Sequence, residues 1–248
     1  MNKKLLVVTA HPDDESFGPG GTIAKYAKQG VAVHVVCATR GEMGDDAVFK
    51  SETRISKLET QKRELHSVRE QELLNASKIL GVSQVDFLDF IDGTLNNAQY
   101  HAVGEKLINK INDFAPQVII TFDQNGVSGH LDHIAMSFIT TYAYFKTRVA
   151  QKLYYHCVSL AWQKHIKDYF VFFPRGRKEQ EIGATIDVSG VWDMRVAAMR
   201  EHKTQMHDVT RLLEIMNSVP QEEYYIRFDS RVATPSKETD LFEGIDID

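Results

Sequence analysis

The sequence predicts an α/β domain with a mainly parallel sheet. Two observations carry this. Short apolar runs alternate with helical patterns along the first 150 residues, the order of successive strand–helix–strand units. The first of these runs, Leu5–Val8, is rich in branched residues and ends in turn chemistry, as a strand buried on both faces does.

Each element can be justified in order. Leu5–Thr9 is the first strand. Thr22–Gln29 is a helix with Gly30 as its C-terminal cap. Val31–Thr39 is a second, nearly continuous apolar strand. Arg40 to about Thr53 is polar and glycine-bearing, hence a long loop of the kind that often carries function. Ile55–Leu80 reads as helix stopped by Gly81. Val85–Phe90 is a third strand, followed by an Asp92-Gly93 turn. Ala102–Phe114 is an amphipathic helix ended near Pro116, and Val118–Phe122 is a fourth strand. Residues 123–133, DQNGVSGHLDH, form a loop, and Ile134–Phe145 returns as helix.

Past residue 150 the pattern weakens. Leu153–Leu160 is expected as a strand. Tyr169–Phe173 and Ile182–Ile186 are expected as a short antiparallel pair around PRGRKEQ. Trp192–Met206 and His207–Met216 read as helices, and Tyr224–Phe228 as a last strand. From Thr234 the chain is acidic and patternless, so a loosely held tail is expected. The organisation is one domain over 1–248, with a core at 4–145, a less regular part at 150–233 and the tail at 234–248.

Composition narrows the function. The chain has 248 residues and a formal net charge of -5, which argues against a nucleic-acid binder with a basic face. No apolar run approaches the roughly 20 residues of a membrane span, and the N-terminal run breaks at His11-Pro12-Asp13-Asp14, unlike a signal peptide. Cys37 and Cys157 are too few for a disulfide framework or a cysteine metal cage, which fits a reducing cytoplasm.

Chemistry concentrates in two loops that each follow a buried strand. The first holds His11, Asp13, Asp14 and Glu15. The second holds His130, Asp132 and His133. So many ionisable groups are costly to desolvate unless they bind something. Catalytic zinc takes three His or carboxylate ligands and keeps a fourth position open; His11, Asp14 and His133 make such a set. Asp13 could then serve as base, His130 as cationic donor to an oxyanion, and Asp132 could orient a histidine. The plainer reading of HLDH is a helix cap with two solvated histidines. Gly18, Gly20 and Gly21 do not form GxGxxG, and no P-loop lysine motif is present, which disfavours a nucleotide cradle. His34 and Cys37 read as buried neutral residues. His202 reads as a partly buried core histidine, and Trp162 with Tyr169–Phe173 as packing.

These motifs resemble the LmbE/PIG-L family of zinc-dependent N-acetylglucosaminyl deacetylases. AHPDDE at 10–15 and TFDQNGVSGHLDH at 121–133 carry the likeness. TRGEMG at 39–44, Arg69 with Glu72, DGTL at 92–95, and His202 with Gln205 extend it. The resemblance implies a Rossmann-like three-layer α/β/α sandwich and removal of an N-acetyl group from an N-acetylglucosamine-type amino sugar or its conjugate. It implies zinc, with iron, manganese or cobalt as alternatives, on His11, Asp14 and His133. It implies Asp13 as general base, His130 at the oxyanion, and Arg69 and Asp92 at the sugar. A homo-oligomer is the implied assembly, with a small-molecule partner. Leu131 stands where the family has proline, and Ser128 where some members have a tyrosine. The competing readings are a non-catalytic ligand binder on the same fold and a Rossmann-type nucleotide binder.

Overall fold

The computed structural model describes residues 2–44, 55–166 and 173–246, with the backbone alone for 55–63. Among the described residues, seven strands form one sheet in the order β3-β2-β1-β4-β5-β7-β6. β1 (Lys4–Thr9), β2 (Ala32–Cys37), β3 (Gln84–Phe87), β4 (Val118–Phe122) and β5 (Lys152–Cys157) pair in parallel. β7 (Glu222–Ser230) adds antiparallel to β5, and β6 (Ala184–Asp187) antiparallel to β7.

The strands read as apolar runs because both faces are covered. Leu5 and Val7 point into one core with Ile23, Val33, Leu80 and Tyr154. Leu6 and Val8 point into the other with Leu107, Ile111, Ile139 and Tyr155. Helix α1 (Asp14–Phe17) leads into α2 (Gly20–Lys28), which packs with α3 (Ile55–Leu80) on the first face. α4 (Tyr100–Phe114), the single turn α5 (Gly126–Gly129) and α6 (Leu131–Thr147) follow, with α4 against α6 on the second face. The three-layer sandwich expected from the sequence is therefore observed. Among the described residues no helix is long and apolar enough to cross a membrane.

The parallel strands run 3-2-1-4-5, so the sheet changes its direction of growth between β1 and β4. Ligands in open α/β sheets bind at such a switch point, outside the carboxyl ends of the strands. The two charged loops are those leaving β1 and β4.

Several expectations change. α6 begins at Leu131, three residues before the expected start, because His130 caps it: its Nδ1 accepts from Asp132 N at 3.2 Å. This moves Asp132 and His133 from a loop onto a helix's first turn. The C-terminal half carries α7 (Leu160–Gln163), α8 (Trp192–Met199) and α9 (Met206–Met216). The expected helix Trp192–Met206 ends at Met199, and a short 3-10 turn at Lys203–Gln205 follows His202. β6 pairs with β7. Its expected partner at Tyr169–Phe173 lies outside the described residues except for Phe173, as does most of the Arg40–Thr53 loop.

The acidic tail is not loose. Leu241, Phe242 and Ile245 join the first core, each worth about 1.5–3 kcal/mol when fully buried. Glu238 is 1% exposed, and its Oε1 accepts from the buried ammonium of Lys152 at 2.6 Å. An acidic run reads as solvated unless a buried cation awaits it, and that cation lies 86 positions away.

Candidate active site

His11 leaves the end of β1 with its imidazole between two sets of partners. Nε2 lies 2.9 Å from Asp92 Oδ1 and 3.2 Å from Asp132 Oδ2. Carboxylates accept, so Nε2 carries the hydrogen and Nδ1 offers its lone pair. His133 is held the opposite way round. Its Nδ1 donates to the Gly126 carbonyl at 3.0 Å, which leaves the Nε2 lone pair free to point at His11 and Asp14. Its ring stacks on Phe122, 4.1 Å between centroids. Asp14 uses Oδ2 to accept from the amides of Ala10 and His11, at 3.2 and 2.8 Å, and turns Oδ1 toward His133.

Three side chains thus converge: His11 Nδ1 and His133 Nε2 at 3.3 Å, His133 Nε2 and Asp14 Oδ1 at 3.2 Å, and His11 Nδ1 and the other carboxylate oxygen, Asp14 Oδ2, at 3.7 Å. Ligands about 2.0–2.2 Å from a tetrahedral zinc stand roughly 3.3–3.5 Å apart, so these residues fit a divalent ion. Two other triples are close enough, His11 with His130 and His133, and His11 with Asp92 and Asp132. Both are poorer. His130 Nδ1 already accepts from Asp132 N. Asp132 accepts from Gly93 N and Leu95 N at 2.8 and 3.0 Å as well as meeting His11.

The electrostatics agree. Burial alone would lower His11, but hydrogen bonds to Asp132 and Asp92 and the charge of Asp14 outweigh it and raise its pKa to about 10. Asp14 is buried too, yet His133 and His11 hold its carboxyl well below the usual range. In the protein alone a proton therefore sits where an ion would. An ion bound there would have to displace it, and loading would be favoured at higher pH.

Asp13 stands beside this cluster in a strained backbone, φ 120°, a cost of order 1–3 kcal/mol that functional sites tolerate. Burial raises its carboxyl, the Arg69 charge pulls it back and Asp14 raises it further, to about 7. Arg69 is 3% exposed and donates to Asp13 Oδ2 at 2.8 Å and to the carbonyls of Pro12 and Gly41, each at 2.7 Å. A side chain on Gly41 or Gly44 would collide with its guanidinium, which explains the two glycines of TRGEMG. Both oxygens of Asp92 bond within the protein, to His11 and to Met43 N at 3.0 Å. Asp132 meets His11 Nε2 from the first turn of α6. His130 is lowered by burial and by the charges of His133 and His11. With Nδ1 accepting, it presents a neutral Nε2–H, where the sequence suggested a cation.

The sequence passed over the support behind Asp13. Glu15 is wholly buried, accepts from Asp13 N at 3.0 Å and from His202 Nε2 at 2.7 Å. His202 is therefore a fully buried partner of the site, raised by the Glu15 charge against its burial. The available signal was Glu15 itself: a third carboxylate in a buried loop requires a cation. His11, Asp13, His130 and His133 open onto a cavity of about 1010 Å³, which Ser128, Trp162 and Tyr224 also line.

The family model described as PIG-L: GlcNAc-PI de-N-acetylase matches residues 6–144. A 1D-myo-inositol 2-acetamido-2-deoxy-alpha-D-glucopyranoside deacetylase from Acidothermus cellulolyticus is 33% identical, over 100% of this chain and 97% of its own length. Among solved structures, the 4-carboxy-2-hydroxymuconate hydratase of Pseudomonas putida aligns with TM-score 0.70 and 20% identity over 94% of this chain and 99% of its own. The N,N'-diacetylchitobiose deacetylase of Pyrococcus horikoshii aligns with TM-score 0.68 and 20% identity over 98% and 86%. At that identity the structural likeness speaks for the fold, which hosts more than one chemistry. The matched family segment and the full-length relative settle membership: the chain belongs to the PIG-L (LmbE-like) family.

Proposed function

We propose that this chain is a metal-dependent hydrolase that removes the N-acetyl group from an N-acetylglucosamine-type amino sugar or its conjugate. The observation that carries the reading is the convergence of His11, His133 and Asp14 on one point beside the Asp13 carboxyl that Arg69 fixes. The deacetylase name of the inositol-linked relative points to the same bond.

His11, Asp14 and His133 would hold the ion, for which zinc suits the mixed His and carboxylate donors. Once bound it would polarise the acetamide carbonyl and acidify a water. The Asp13 carboxylate, fixed by Arg69, takes the proton of the attacking water. It returns that proton to the nitrogen as the C–N bond breaks. His130 donates Nε2–H to the oxyanion that develops on the acetyl carbonyl oxygen. Asp132 and Asp92 keep His11 in the ligating tautomer, and Arg69 and Asp92 both wall the cavity where the sugar enters. Cys37 and Cys157 are free and buried, which fits a reducing cytoplasm as the place of work.

The test is acetate release from N-acetylglucosamine and its conjugates, before and after chelation and after returning zinc. Release that stops with chelator and resumes with zinc supports the reading. Release indifferent to chelator defeats it.

A further inference from the structure

Asp123 and Arg177 take no part in the chemistry above, yet their bonds converge on one of its ligands. Asp123 ends the loop side of β4 and is 4% exposed. Its Oδ1 accepts from Asn125 N and Val127 N at 3.0 and 2.9 Å, and its carbonyl accepts from Gly126 N at 2.8 Å. Its Oδ2 accepts from Nε and Nη2 of Arg177 at 3.0 and 2.9 Å. Arg177 is itself pinned by its backbone to the segment after β5, through Val158 O and Leu160 N, each at 2.8 Å.

The turn so closed is strained. Val127 stands at φ 61°, the left-handed region that a β-branched side chain resists. Without restraint the peptide following Gly126 would relax, and the Gly126 carbonyl with it. That carbonyl is the acceptor that fixes the His133 ring, at 3.0 Å from Nδ1. The turn also packs directly on the ligand's helix: a Cβ on Gly126 would lie 3.0 Å from His133 Cβ and 2.9 Å from Ile134 Cγ1.

We infer that the Asp123–Arg177 ion pair is a positioning device for His133, holding the strained Asp123–Val127 turn so that the Gly126 carbonyl keeps the His133 Nε2 lone pair on the ligand triangle. The inference rests on the reading of His133 as a metal ligand. It brings into the site a residue, Arg177, that lies beyond the matched segment 6–144.

The experiment compares zinc affinity, by competition with a chromophoric chelator, and the visible spectrum of the cobalt-loaded protein. Wild type, Arg177→Met, Arg177→Lys, Asp123→Ala and, as control, His133→Ala are measured, each after its folding is checked by circular dichroism. Loss of a partner behind a metal ligand weakens affinity about 10–100-fold. Arg177→Met is expected to show that loss and a shifted cobalt spectrum, with Arg177→Lys restoring part of both. Folded Arg177→Met and Asp123→Ala proteins with wild-type zinc affinity and cobalt spectrum, while His133→Ala loses the metal, would overturn the positioning role and leave the metal site standing. A raised KM with unaltered metal affinity would overturn it too, making Arg177 a substrate contact. Wild-type protein that binds neither ion would overturn both readings. Should Asp123→Ala fail to fold, Arg177→Met alone decides.

Discussion

Two of the molecule's buried charged clusters differ in kind. At the far end of the sheet, Lys152 meets Glu238 and the Glu243 carbonyl, and Glu238 also accepts from Tyr154 and Arg227. Lys152, Tyr154 and Arg227 each face an acceptor there, and the cluster is closed. At the switch point, His11, Asp14 and His133 converge with no other side chain between them, and Asp13 beside them is raised to about 7. That cluster is closed only by a cation or a proton. A complete set of partners marks charge that holds the fold; converging lone pairs mark charge that awaits a ligand.

The largest break in this comparison is at Asp13. Asp13→Ala is expected to lower kcat about 10²–10⁴-fold while the protein keeps its metal, measured by acetate release and metal analysis on one sample. Near wild-type turnover would remove Asp13 from the role of base. The closed cluster responds in stability instead. Lys152→Met leaves Glu238 buried without its ammonium and is expected to cost about 3–5 kcal/mol in urea unfolding. Adding Glu238→Gln should recover part of that loss, and activity per folded molecule should stay unchanged. A loss of activity with unchanged stability would show that the two clusters are not separate in function.

A smaller effect sharpens the contrast through pH. Asp13 is raised from 3.8 to about 7. Between those values the folded metal-free chain holds a proton that the unfolded chain has released. Its contribution to stability therefore falls as pH rises through that window and is fully lost above about 7. Activity runs the other way: kcat/KM should climb with pH as Asp13 ionises and then level. A rate that falls with pH across the same range would contradict the ionised Asp13. The smallest effect is expected at Leu131, the first helical residue of α6 and 59% exposed. Proline suits that position, so Leu131→Pro should leave activity unchanged and raise stability by at most about 1 kcal/mol.

How legible each cluster was follows from sequence distance. β1 and β4 are continuous apolar runs that end abruptly in charge, so the strands, the loops and the ligand candidates His11, Asp14 and His133 could be read locally. The helix start at Leu131 could not, because it depends on the His130 ring capping Asp132 N. Glu15 and His202 are 187 positions apart, and nothing in the periodicity of either segment joins them. The same holds for Lys152 with Glu238, which turned an expected loose tail into core. Arg177 escaped notice because its meaning lies in Asp123, and that of Asp123 in a strained turn that no residue pattern announces.

The most direct test is the metal content of purified wild-type protein against His133→Ala, after dialysis with zinc and removal of the unbound ion. The open cluster predicts about one ion per wild-type chain and none in a folded His133→Ala variant. Wild-type protein that keeps no ion, or a His133→Ala variant that keeps as much as wild type, would contradict it.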